Sequence, residues 1–170
     1  MAIKSSIAHP VDTLRRWRHG RGFGIHSPFA FRFVTETLRQ PCAYYAYGSV
    51  GADRTLRLIV RLVVALRPAA VALAAPGTAR WADAIRLADS RLKLVDDLSA
   101  AELIIADCSA MSDSDVDALF ASSPGPHALL VNARRIPALG NFGMTFSNGH
   151  GTVVVASHPH LPRQDFEVKF

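Results

Sequence analysis

The residues best placed to do chemistry begin in Val71-Ala-Leu-Ala-Ala-Pro-Gly-Thr-Ala-Arg-Trp-Ala-Asp-Ala-Ile85, which reads as a buried strand turning sharply into a helix. In an open α/β sheet that turn, Ala74 to Thr78, aims backbone N–H groups and a helix N-terminus at a nucleotide-type ligand. It carries one glycine, Gly77, where dinucleotide sites use three, and no Lys-Ser/Thr pair for a triphosphate. Ala75-Pro76 also withholds an N–H and fixes φ. Asp96, Asp97 and Asp107 follow apolar runs, at the strand C-termini where such sheets bind ligands.

Other residues have two readings each. His26 lies among glycines beside a helix start, where it could act as a general base or hold a substrate. It could equally bond to backbone and steady the Ser27 cap. Tyr44 and Tyr45 could line a pocket or pack a helical segment onto a sheet. The run Arg15-Arg-Trp-Arg-His-Gly-Arg-Gly-Phe-Gly24 interleaves cations with aromatics as single-strand nucleic-acid binders do. His150, His158 and His160 have no nearby Cys or acid to complete a ligand set, so no metal is expected. Cys42 and Cys108 share no metal spacing and read as reduced, buried thiols. No Gly-x-Ser-x-Gly elbow supports hydrolase chemistry.

The elements that must position these residues follow from periodicity and punctuation. Val11, Leu14 and Trp17 at helical spacing, with Arg15, Arg16 and Arg18 between, predict a short basic amphipathic helix. Ser27-Pro28 reads as N-cap and first helical residue of a helix to about Arg39, burying Phe29, Phe33 and Val34 with Phe31 and Leu38 close by. Asp53 caps the next helix, with Leu56, Ile59, Val60 and Val63 as its apolar stripe and Arg54, Arg57 and Arg61 facing out. Strand Ala70–Ala75, helix Thr78–Ala88, strand Leu92–Asp96, strand Leu103–Asp107, a helix opened by Ser112 and Asp115, and strand His127–Asn132 then alternate. Asn148-Gly149 between Met144–Phe146 and Thr152–Ala156 is a hairpin signal. Phe166, Val168 and Phe170 alternate as a last strand, so the sheet is expected to end in antiparallel strands.

The 170 residues, 49% hydrophobic, suit one core in an α/β class protein. No apolar run reaches the roughly 18 residues of a membrane span, and the N-terminus lacks a signal-peptide pattern, so no membrane partner and a cytoplasmic location are expected. Charge is uneven. Residues 1–70 hold eleven Lys/Arg against three Asp/Glu, and residues 71–170 hold eight against eleven. The basic half could meet an anionic partner, nucleic acid included, or present solvated helix faces.

Gly22-Phe-Gly-Ile-His-Ser-Pro-Phe29, followed by Tyr44-Tyr45-Ala46-Tyr47, resembles the N-terminal cap of a bacterial family of class I S-adenosylmethionine-dependent methyltransferases. The order of elements beyond it is compatible along nearly the whole chain. The resemblance implies a Rossmann-like three-layer sandwich, shortened, with a helical cap and lead-in helix over residues 1–68 and the methyltransferase-type part over 69–170, as one compact unit. It implies S-adenosylmethionine as cofactor, held by Ala74, Ala75, Gly77 and Thr78 in the loop, with Tyr44 and Tyr45 above. Asp96 or Asp97 would take the ribose hydroxyls. Methyl transfer to a small-molecule acceptor would then rest mainly on positioning, with His26 or Asp107 accepting a proton. Two departures mark the site as eroded. The turn's acidic–glycine opening is replaced by Ala-Ala-Pro-Gly, and the six residues between Asp96 and Leu103 are too few for a helix–strand crossover. A non-catalytic binding or assembly module on the same fold is the alternative.

Overall fold

The computed structural model describes residues 25–40, 43–74, 79–121, 126–140, 143–158 and 160–170. The expected basic helix around Trp17, the turn residues Ala75, Pro76, Gly77 and Thr78, and Cys42 lie outside them.

The chain is a mixed α/β protein built on one seven-stranded sheet: β1 (Ala70–Ala74), β2 (Lys93–Val95), β3 (Leu103–Asp107), β4 (His127–Val131), β5 (Met144–Ser147), β6 (Val153–Ala156) and β7 (Gln164–Glu167). Spatial order is β2-β1-β3-β4-β6-β5-β7, and β6 alone runs against the others. The final strand therefore corrects the expected antiparallel ending: β7 pairs with β5 in parallel. The reason is that β4 and β5 already occupy both edges of β6. The chain leaving β6 must step past β5 to find an open edge, which it meets running the same way. The buried Thr145 hydroxyl donates to Asp165 Oδ1 at 2.5 Å, tying β5 to β7.

Helices cover one face more fully than the other. α1 (Pro28–Arg32) runs on into a π-helical stretch, Phe33–Leu38, and is followed by α2 (Tyr47–Val50), α3 (Arg54–Leu66), α4 (Ala79–Ala88) and α5 (Asp113–Ala118). Ser27 Oγ accepts from the Ala30 N–H and Pro28 opens the helix, as its sequence predicts. Strand alternation sorts the core. Leu103, Ile105, Leu129, Met144, Phe146 and Val154 face α1, α3 and α4, whereas Ile104, Ala106, Leu130 and Val155 face α5. Phe33 meets Phe146 with ring centroids 5.0 Å apart, and Phe166 stacks on Phe146 at 5.3 Å. Phe29, expected inside, lies at the surface, as does Phe31. The buried stripe is Ala30, Phe33, Val34, Thr37 and Leu38, the i, i+3, i+4, i+7, i+8 set of one helix face, from which Phe29 and Phe31 are offset.

The link from β2 to β3 is a single 3₁₀ turn, Leu98–Ala100. It suffices because β2 is short. Val95 stands level with Ala72, and Leu103 with Val71, so the chain need only step sideways past β1. That is two strand spacings, about 10 Å. Leu98 packs on the α5 face as it crosses. α5 and this turn leave a groove of about 860 Å³ there, lined by Leu98, Met111, Leu119 and His127 with Asp97, Glu102 and Asp115. Among the described residues, no helix is long and apolar enough to cross a membrane.

Candidate ligand-binding edge

The parallel strands end at one edge, and the chain changes direction there: from β1 it goes outward to β2, then returns across to β3 on the other side. Crevices of open α/β sheets form where the order reverses in this way. Ala74 ends β1 on this edge, and α4 begins five residues later. Asp53, the N-cap of α3, reaches Arg80 in the first turn of α4 at 3.7 Å, so the two helix starts lie side by side.

The acids have different fates. Asp96 is exposed, just beyond β2, and makes no hydrogen bond or ion pair among the described residues. Asp97 Oδ1 accepts from both the backbone N–H and the hydroxyl of Ser99, at 2.9 and 2.7 Å, capping the 3₁₀ turn. Those bonds hold its carboxyl below the usual range. Asp107 Oδ1 accepts from Asn132 Nδ2 at 3.0 Å and the Ser109 N–H at 2.9 Å, and the same donors, Asn132 first, lower its pKa. An Asp so held is an ionised acceptor near neutral pH and a weak proton acceptor. Asn132 keeps this geometry with φ +55, in the left-handed region that Asn tolerates. Beside it, buried Cys108 has its thiol pushed up by burial and by Asp107, so it is not a poised nucleophile.

His26 is exposed, two residues before α1. α1 starts beside Ala65 and Leu66, where α3 leads into the beginning of β1, so His26 stands at the opposite edge from Asp107. The structure does not bring the two together. Tyr45 points into solvent, while Tyr44 packs edge-on against Tyr47 at 5.5 Å. His158 and His160 have rings 5.2 Å apart, and among the described residues no three His, Cys, Asp or Glu cluster as a metal site.

Sequence reasoning passed over a second feature of this edge. A cleft of about 650 Å³ opens between the end of the π-helical stretch, the start of α3 and the loop after β5. Arg39, Arg54, Arg57, Arg61, Tyr47 and Lys169 line it, and among the described residues no Asp or Glu does. Arg61, expected to face out, is instead half-buried against the end of the π-helical stretch. Its Nη1 donates to the Leu38 carbonyl at 2.5 Å, one of the acceptors a helix end leaves over. The signal available was the spacing of Arg54, Arg57 and Arg61, which puts three cations on one side of α3.

No known protein family matches the chain, and no curated protein resembles it in sequence.

Proposed function

We propose that the protein is an S-adenosylmethionine-binding, methyltransferase-like protein with a reduced cofactor site. One observation carries this reading. The strand order turns back at β1, so the crevice beyond Ala74 has Asp96 next to it with an uncommitted carboxylate. Asp96 suits a ribose diol better than Asp97, whose oxygen already caps a turn. The fit is partial. β2 is the edge strand, and among the described residues no element beyond it closes over an adenine. The cofactor, when bound, supplies an electrophilic methyl group. The chain's own contribution is to orient it through Asp96 and the backbone of the turn.

The test is thermal unfolding with and without millimolar S-adenosylmethionine. At a hundredfold excess over Kd, binding adds about 2.7 kcal/mol, which raises Tm by about 5–10 °C in a chain of this size. Asp96→Asn should remove that rise and leave the free protein's Tm unchanged. An unmoved Tm in the parent protein overturns the reading. It would favour a non-catalytic binding module on the same fold, for which the open adenine side already speaks. In either case the methyl-transfer step is not assigned to His26 or Asp107, since one lies at the far edge and the other is committed to Asn132.

A further inference from the structure

We infer that the basic cleft at the start of α3 binds a small organic molecule bearing a phosphate group. Five cations, Arg39, Arg54, Arg57, Arg61 and Lys169, converge on it, and none has a carboxylate partner among the described residues. Arg61 is the sharpest of these. Its Nε is shut off from solvent and unbonded among the described residues, and burial lowers its pKa. The residue as a whole is half-buried, and its Nη2, which makes no hydrogen bond among the described residues, is left for an anion in the cleft. Its remaining donors have the planar fork that matches phosphate oxygens.

Neighbouring groups are already positioned for the same ligand. Arg57 Nε donates to the Gly51 carbonyl at 2.6 Å, and its guanidinium carbon sits 5.0 Å from the Tyr47 ring centroid. Both contacts fix the side chain without neutralising it. The excess of positive charge favours a phosphate monoester, which carries about −1.5 to −2 near pH 7, over a singly charged carboxylate. Tyr47 and Phe170 supply an aromatic surface for the organic part. The volume is in the range of small-molecule sites. This inference uses none of the residues assigned to S-adenosylmethionine, and its test contains none of that cofactor.

Isothermal titration calorimetry of the full chain with phenyl phosphate provides the test, with inorganic phosphate, phenol and a short single-stranded oligonucleotide as further arms. Phenyl phosphate should bind at one site per chain, inorganic phosphate more weakly, and phenol not at all. Arg57→Gln and Lys169→Gln should each weaken phenyl phosphate about tenfold, the scale of one charge-assisted hydrogen bond. Arg61→Met should abolish it. Circular dichroism checks that each variant is folded, and if Arg61→Met is not, the two surface variants still decide. Absence of heat with phenyl phosphate, or equal binding by parent and folded variants, overturns the inference. So does binding of the oligonucleotide alone with steep salt dependence, which would make the cleft a nucleic-acid contact.

Discussion

At the scale of the residue, position in the fold decides which ionisable groups are free to act. His127 shows this away from the ligand edge. It opens β4, its Nδ1 accepts from the Ser157 N–H at 3.1 Å, and burial, assisted by His158 and opposed by Glu102, lowers its pKa from 6.5. The neutral ring is the folded form, because a protonated Nδ1 could not accept that bond. The unfolded chain takes up its proton first as pH falls, so this contribution to stability is full above about pH 7 and lost as pH drops through 6.5 toward the lower folded value. Urea unfolding of the parent should therefore weaken from pH 7 to 5.5. His127→Asn, which keeps an acceptor near Nδ1, should flatten that slope. Asp96, Asp97 and Asp107 were all recognisable in sequence as acids following strands. Their differing availability was not, because it depends on Ser99, Ser109 and Asn132, and Asn132 is 25 residues from Asp107.

At the scale of the element, local signals were strongest where the backbone satisfies itself. Asp53 Oδ1 accepts from the N–H groups of Thr55 and Leu56 at 2.9 and 3.1 Å, and Ser112 with Asp115 forms the reciprocal box that opens α5. Both caps are legible because donor and acceptor are two or three residues apart. Asp53→Ala should cost about 1 kcal/mol in urea unfolding, with more of the loss surviving high salt than an ion pair to exposed Arg80 would explain. The π-helical stretch was not legible. Arg39 N–H donates to the Val34 carbonyl five residues back, a bond that the ordinary helical spacing of the buried residues does not announce. At the end of this stretch the Leu38 carbonyl accepts from Arg61 Nη1.

At the scale of the whole molecule, the N-terminal helices and the sheet share one core, since α1 and α3 bury their stripes in the same cluster as β3, β4, β5 and β6. Phe146 links them, touching both Phe33 and Phe166. Unfolding should be a single transition, coincident by far-ultraviolet circular dichroism and tryptophan fluorescence. Phe146→Ala should shift both probes together by about 3–5 kcal/mol; separated transitions would show two independent units. The sequence alone determined the strands, the capped helices and the alternation that buries both sheet faces, because these depend on residues near one another in the chain. It also placed the acids that follow the strands. Only the tertiary structure decided that β7 lies parallel at the outer edge, that His26 and Asp107 stand at opposite edges, and that Arg61 is half-buried against the end of the π-helical stretch. Those outcomes depend on which strand edge was still open and which carbonyl was still unpaired, and both are set by contacts between residues far apart in sequence.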